Sequence, residues 1–197
     1  MHHPHALHIQ KYMKETDWHH APLHRFVPGA VHMVTASTLN KEHIFRDNRR
    51  LSLFMRIVLD GFVNAGWHLH AWAFLSNHYH LIVQAPEAGD FSSVLRDVHS
   101  KVALDVNRMD ETPKRQVMYQ FWDRCISYDN SYYARMNYVI KNPVKHGIVE
   151  DARLYPYCSA AWFERNNRKS FCRRIYSYKC DKVQEPDDFE VVWRSDG

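Results

Sequence analysis

The sequence predicts an α+β fold, because runs in which apolar residues alternate are interleaved with runs of helical periodicity. The predicted elements follow one another in the order strand, helix, strand, strand, helix, strand. That order is typical of a ferredoxin-like βαββαβ core with an antiparallel sheet. The 197 residues, 45% of them hydrophobic, are enough for one well-packed domain and too few for two ordinary ones.

A strand, a helix and a hairpin make up the first half of the predicted core. Residues 30–38 read as the first strand, and Asp47 or Asn48 can cap a helix whose apolar residues recur at helical spacing. Two extended runs follow, at residues 67–74 and 78–84. Because only three residues separate them, we expect a hairpin.

The second half of the core begins with a helix predicted over residues 91–107, which carry apolar residues on one stripe. A polar loop then leads to a fourth strand, predicted over residues 121–128. Asp129 or Asn130 can cap a third helix, which is expected to run through Tyr138.

Three segments describe the organisation of the chain: an N-terminal arm over residues 1–28, the core domain over residues 29–163, and a basic C-terminal tail over residues 164–197. The arm is rich in histidine and proline and has no sustained periodicity. Between positions 165 and 182 the tail has seven basic residues and one acid, with three aromatic residues among them. Cations and aromatic rings are the ingredients of single-strand binding, and a solvated basic tail explains the composition equally well.

Membrane and disulfide-rich classes are not expected for this chain. No apolar run approaches the roughly 20 residues needed to span a bilayer. The N-terminus lacks the apolar stretch of a secretory signal, so we expect a cytoplasmic location. The four cysteines form no CxxC pair, which argues against a zinc knuckle and a disulfide framework.

His78 and His80 flank one bulky residue in the run predicted as the third strand. Alternate side chains of a strand share a face, so both imidazoles are expected on one side of the sheet and Tyr79 on the other. Such a pair can bind one metal ion, although packing or hydrogen bonding is the commoner role of histidines at this spacing.

Tyr138 and Asn142 stand four residues apart, which places them on one face if the third helix continues that far. Pro143 disfavours helical backbone at Asn142, so this side chain is expected at the helix end, turned outward. Two imidazoles and an amide oxygen leave open positions on a divalent ion for a phosphate oxygen, and a nearby phenol can attack phosphorus. Taken alone, Tyr138 is more commonly a half-buried helix residue and Asn142 a helix-ending one.

Four segments, which include the candidate site residues, resemble those of a known family in their order and in the number of residues between them. They are Asn-His-Tyr-His-Leu-Ile-Val at 77–83, Phe-Trp-Asp-Arg at 121–124, the run from Tyr138 to Val149, and Tyr-Pro-Tyr at 155–157. Together they resemble the REP-associated tyrosine transposases, a group of the single-tyrosine HUH transposases. The resemblance spans about residues 22–163.

This resemblance implies a ferredoxin-like core, single-stranded hairpin DNA as substrate, and magnesium or manganese as cofactor. His78, His80 and Asn142 would be the metal ligands. Tyr138 would be the nucleophile, forming a 5′-phosphotyrosine link and releasing a 3′-hydroxyl. The chain departs from the family pattern at Ser76, at Tyr157-Cys158 and at His146, and the last of these is expected to alter the DNA-facing surface.

Three functions are compatible with the sequence. The first is a metal-dependent single-stranded DNA strand transferase, the second a hairpin-binding module without cleavage activity, and the third a hydrolase that uses activated water. The protein is expected to act as a monomer or homodimer. The candidates for phosphate contacts are basic residues near the motifs and in the tail: Arg96, Lys101, Lys141, Lys145, Arg173 and Arg174.

Overall fold

The structure is a computed structural model that describes residues 26–185, 187 and 189–194. Nearly all of the N-terminal arm therefore lies outside the described residues. Among the helices in the described part, none is long and apolar enough to cross a membrane.

Four strands and six α-helices make up the described chain. In order they are β1 (Val31–Thr38), α1 (Asn48–Asn64), β2 (His68–Phe74), β3 (His78–Gln84), α2 (Phe91–Met109), β4 (Met118–Ile126), α3 (Asp129–Ile140), α4 (Asn142–Lys145), α5 (Ala160–Asn166) and α6 (Lys169–Ser177). The sheet is antiparallel with the order β2-β3-β1-β4. The predicted ferredoxin-like core is confirmed.

The largest differences between predicted and observed boundaries are in the fourth strand. The fourth strand begins at Met118 rather than at residue 121, because Met118 pairs with Thr38 and is buried. It ends at Ile126, because this residue pairs with Val31, where β1 begins. The third helix begins at Asp129 as predicted and continues two residues past Tyr138, to Ile140.

The two faces of β3 have different partners. Tyr79, Leu81 and Val83 are fully buried. The Tyr79 ring lies 5.5 Å from that of Phe54 in α1, and its hydroxyl oxygen lies 2.9 Å from Nε2 of His99 in α2. Helices α1 and α2 therefore cover this face, and the other face is left for α3.

The outer edge of β2 is covered by the chain that follows α4. The amide of Phe74 donates to the carbonyl of Tyr157 at 2.9 Å, and that of Ser159 donates to the carbonyl of Trp72 at 2.8 Å. Tyr157 is itself buried and donates from its hydroxyl to Asn48. The backbone groups at the end of this edge formed by residues 72–74 therefore already have partners, which protects that end from pairing with another chain.

Helices α1 and α2 are tightly packed at Gly61. A methyl group at this position would lie 2.2 Å from Cγ1 of Val98, well inside van der Waals contact. We expect Gly61→Ala to lower the free energy of unfolding by about 1–2 kcal/mol, since the overpacking cost exceeds the gain in helix propensity.

Gly61→Ala in a Val98→Ala background tests whether the contact with Val98 causes the loss of stability. With the Val98 methyl groups removed, Gly61→Ala should become neutral or stabilise by up to about 1 kcal/mol, because only the helix propensity gain remains. Urea unfolding of the four proteins measures both values. An equal loss in both backgrounds would show that the contact with Val98 is not the cause.

Candidate active site

His78 and His80 lie on the face of β3 opposite Tyr79, as the alternation predicts, and both are fully buried. Their Nδ1 atoms are engaged by neighbours: Asn77 Oδ1 lies 2.8 Å from Nδ1 of His78, and Thr35 Oγ1 lies 2.8 Å from Nδ1 of His80. Both Nε2 atoms face the carboxylate of Asp187.

The partners of Nδ1 determine which nitrogen carries the proton. Asn77 uses its Nδ2 to donate to the carbonyls of Lys41 and Glu190, so its Oδ1 must accept from His78. Thr35 donates its hydroxyl proton to Glu185, so its oxygen accepts from His80. An imidazole that donates from Nδ1 in this way presents a lone pair on Nε2 when it is neutral, which is the form that binds metal.

Burial also favours the neutral form of His78. It lowers the pKa of this residue to about 4, because the imidazolium would lose its hydration. At neutral pH the ring therefore carries no charge.

Tyr138 and Asn142 reach the same site from α3 and α4. The Tyr138 ring lies 5.6 Å from that of His80. Helix α3 ends at Ile140, and Asn142 opens α4, with Pro143 in its first turn. The two residues thus share a site although they do not share one continuous helix.

The predicted outward orientation of Asn142 is wrong, since this side chain is fully buried and donates from Nδ2 to Asp187 at 2.8 Å. The physical reason is that proline, which cannot continue a helix, is well suited to begin one. The chain therefore turns directly into α4 and keeps Asn142 inward.

A carboxylate from the C-terminal tail lies at the centre of the site. Asp187 is buried, with Oδ1 at 2.8 Å from Nε2 of His78 and Oδ2 at 3.3 Å from Nε2 of His80. Its Oδ2 also accepts hydrogen bonds from the Tyr138 hydroxyl and from Lys145, the latter at 2.9 Å. Sequence reasoning did not identify Asp187.

His146 completes the surroundings of this carboxylate. Its Nε2 lies 2.6 Å from Oδ1 of Asp187, and its side chain is only 7% exposed. The side chain of this family departure points into the site, and its predicted effect on the DNA-facing surface stays a prediction. Burial alone would raise the pKa of Asp187, but the contacts with His146, His78 and His80 lower it overall, so the group is anionic.

Backbone contacts hold the tail beside the site. The Val192 amide donates to Oγ of Ser76 at 3.2 Å, and the Arg194 amide donates to the carbonyl of Arg46 at 3.1 Å. Trp193 donates from Nε1 to Asn48 at 3.1 Å. Ser76, another departure from the family pattern, is therefore a contact of the tail.

The donor set suits a divalent metal ion. The ligand atoms of His78, His80 and Asp187 lie within 4.8 Å of one another and could hold one. Two imidazole nitrogens that face a carboxylate form a donor set that can bind a cation between them. Oδ1 of Asn142 has no hydrogen-bond partner within the part of the chain that the structure describes, and rotation of the amide would turn this atom toward the same point.

The structure brings only part of the predicted phosphate-contact set to this site. Lys145 is in the site, with Nζ 3.0 Å from the Tyr138 hydroxyl. Lys141 lies above the Tyr176 ring, 5.4 Å from its centroid, and so faces α6. Arg173 and Arg174 are exposed on α6, which packs on α3.

Arg96 and Lys101 are not near the site. Both lie on α2, across the sheet from the two histidines, and both are exposed. Arg96 is 3.5 Å from Asp97, and Lys101 is 3.6 Å from Asp105. The basic residues of α2 thus already have acidic neighbours on their own helix.

Comparison with known proteins was made for sequence and for structure. No family model matches the sequence. The chain is 29% identical over 92 residues to the REP-associated tyrosine transposase of Escherichia coli (strain K12), covering 46% of this chain and 53% of that protein. A Haemophilus influenzae protein, also named as a REP-associated tyrosine transposase but provisionally, is 29% identical over 96 residues. The match covers 43% of this chain and 54% of that protein. The chain spans about half the length of these curated relatives.

A solved structure, that of a REP-associated tyrosine transposase bound to a REP hairpin, has the same fold. It superposes with a TM-score of 0.60 at 20% identity and covers 92% of this chain and 98% of that one. The relatives and this neighbour are all named transposases. The resemblance to the REP-associated tyrosine transposases, first seen in the motifs, is confirmed.

Removal of one imidazole tests the metal site. Wild-type protein should bind Mn²⁺ at one site, and His80→Gln should weaken this binding by about 100-fold, because it removes a direct ligand. His99→Gln is the matched control, since His99 is a half-buried histidine on the other face of the sheet. Isothermal titration calorimetry gives the Kd values, and equal Kd values for all three proteins would contradict a metal site here.

Proposed function

We propose that this chain, with its resemblance to the REP-associated tyrosine transposases, is a metal-dependent single-stranded DNA transposase. It would cleave and rejoin DNA near hairpins through a 5′-phosphotyrosine intermediate. The observation that carries the proposal is the convergence of His78, His80, Tyr138 and Asn142 on one buried point. These residues come from β3, α3 and α4, so their proximity is a property of the fold and not of local sequence.

The substrate class is inferred from the relatives and from the chemistry of the site. The solved neighbour is a transposase bound to a REP hairpin. In the present chain the groups around the central carboxylate include the donors Lys145, His146 and Tyr138, which suit an anion such as a phosphodiester. Single-stranded DNA beside a hairpin is therefore the proposed substrate.

His78, His80 and Asn142 would hold Mg²⁺ or Mn²⁺, and Asp187 would add an oxygen donor only while DNA is absent. When bound, the ion would act as a Lewis acid on a non-bridging oxygen of the scissile phosphate. The mixture of imidazole and oxygen donors is compatible with either ion, and manganese accepts nitrogen ligands more readily than magnesium does.

Tyr138 would supply the nucleophile. Its oxygen forms a bond to phosphorus, the bond from phosphorus to the 3′ oxygen breaks, and the 3′ oxygen leaves with a proton as a hydroxyl. The phenol proton departs from the nucleophile during attack, and the Tyr138 hydroxyl already donates to Asp187. Lys145, with Nζ at 3.0 Å, lies where it can neutralise the charge that develops on the phenol oxygen.

The position of Asp187 indicates where the phosphate would bind. Its Oδ2 contacts the nucleophile, Lys145 and Asn142, the groups that would surround a non-bridging oxygen. A phosphate entering this space must displace the carboxylate at least in part. Reversal of the reaction by a different 3′-hydroxyl would join two strands, so no nucleotide cofactor is required.

Loss of the phenol oxygen tests this chemistry. With a labelled single-stranded hairpin and Mn²⁺, wild type should form protein-linked DNA that survives denaturing electrophoresis. Tyr138→Phe should lower the amount at least about 10³-fold, because the nucleophile itself is missing. Tyr133→Phe is the matched control, since Tyr133 lies on the same helix and packs against Phe171 and Tyr178 instead of the site.

Two outcomes would favour the other functions. Full hairpin affinity with no adduct in Mg²⁺ or Mn²⁺ would favour a hairpin-binding module that does not cut, a function compatible with a carboxylate at the centre of the site. Cleavage that survives Tyr138→Phe and leaves no adduct would favour hydrolysis by activated water.

A further inference from the structure

A second carboxylate of the tail, that of Glu185, lies beside the metal site. Its side chain is only 4% exposed and lies between two guanidinium groups. Oε1 is 3.5 Å from Nε of Arg124 in β4 and 3.8 Å from Nε of Arg135 in α3. Oε2 accepts from the Thr35 hydroxyl at 3.4 Å.

These contacts are poor for a pair of opposite charges. Matched arginine and carboxylate groups form two parallel hydrogen bonds of about 2.7–2.9 Å. Here neither Nε of Arg135 nor Oε1 of Glu185 has a hydrogen-bond partner anywhere in residues 26–185, 187 and 189–194. Burial of this kind is costly for a cation, and Arg135 is only 12% exposed. The two arginines are thus arranged for an anion that Glu185 does not fully replace.

The contacts connect this arginine pair to the proposed chemistry. Thr35 contacts both Glu185 and Nδ1 of His80, and Nε2 of His80 faces Asp187. Glu185 and Asp187 are two residues apart, so their Cα atoms are separated by at most about 7 Å. That separation is comparable to the distance between neighbouring phosphates of a single strand.

We propose that Arg124, Arg135 and Thr35 form a second phosphate subsite, which binds the phosphate next to the scissile one. Glu185 occupies this subsite in the absence of DNA, as Asp187 occupies the position of the scissile phosphate. The inference rests on the proposed function, since it assumes a single strand that passes over the His78 and His80 site. A phosphate has more acceptor oxygens than a carboxylate and can accept from both guanidinium groups at once.

A structural alternative predicts different behaviour. If Glu185 only anchors the tail, Arg124 and Arg135 do not contact DNA, and their removal leaves the contribution of every DNA phosphate to binding unchanged. If the two arginines bind a phosphate, the contribution of that one phosphate disappears with them. The effect of the arginine variants on a single phosphate therefore separates the two roles.

The experiment measures hairpin binding by fluorescence anisotropy in EDTA, so that neither metal nor cleavage contributes. Each phosphate of the single-stranded flank is replaced in turn by a neutral methylphosphonate. In wild type, one replacement should weaken binding by about ten-fold, because it removes charge-assisted hydrogen bonds. The penalty at that phosphate should disappear in Arg124→Gln/Arg135→Gln protein, whose affinity for unmodified DNA should be lower by a similar factor.

Control variants keep the test specific. Arg173→Gln/Arg174→Gln removes two exposed arginines of α6 and should keep the methylphosphonate penalty. Arg124→Gln alone, at a side chain that is 57% exposed, preserves the fold if the double variant does not and should reduce the penalty. Glu185→Gln should bind unmodified DNA a few-fold more tightly, whereas Asp181→Asn, at an exposed acid of the same tail, should not.

A penalty that persists in the Arg124 and Arg135 variants, or a Glu185→Gln protein that binds no more tightly than wild type, would overturn the subsite. Because no metal is present, a missing phosphotyrosine adduct would contradict the proposed function without affecting this result.

Discussion

The alternation of side chains along β3 is the constraint on which the rest of the structure depends. This strand is central in the sheet and buried on both faces. Tyr79, Leu81 and Val83 lie against α1 and α2, which fixes the register of the strand, because a slip by one residue would place histidines in the apolar core. The core on one side of the sheet thus determines the position of His78 and His80 on the other.

On the opposite face of β3, which carries His78 and His80, hydrogen bonds offset the free-energy cost of burying polar groups. His78, His80, Asn142 and Asp187 are all nearly or fully excluded from solvent. Buried polar groups are costly unless they are paired, and here Asn77 and Thr35 satisfy the outer nitrogens of the two imidazoles. The remaining atoms face one another around Asp187. The site is held in place by contacts behind its functional atoms, which leaves those atoms available.

Local patterns in the sequence were sufficient for the βαββαβ core and for the face on which His78 and His80 lie. Asn142 was placed by spacing, but its inward orientation depends on how Pro143 opens α4. Asp187 could not be found, because it is separated from Tyr138 by 49 positions and reaches the site only through the path of the tail. A basic side chain alone was a poor guide to phosphate contact at Arg96 and Lys101, since residue type does not show which face of the sheet a helix covers. The roles assigned to the site residues stay predictions.

The electrostatics of the site connect the tail to the substrate. The face that holds His78 and His80 is rich in donors and cations, with Lys145, Arg124 and Arg135 at its margins. Such a surface attracts any flexible anion that can reach it, and Glu185 and Asp187 are attached to the same chain. In the proposed function, the phosphates of DNA therefore replace the carboxylates of Glu185 and Asp187 at these cations. The net free energy of DNA binding is then only the difference between the two sets of contacts. On this proposal, only molecules whose tail has left the site can bind DNA, so the apparent affinity for DNA falls as the fraction with a docked tail rises. The strength of the tail contacts therefore sets the apparent affinity.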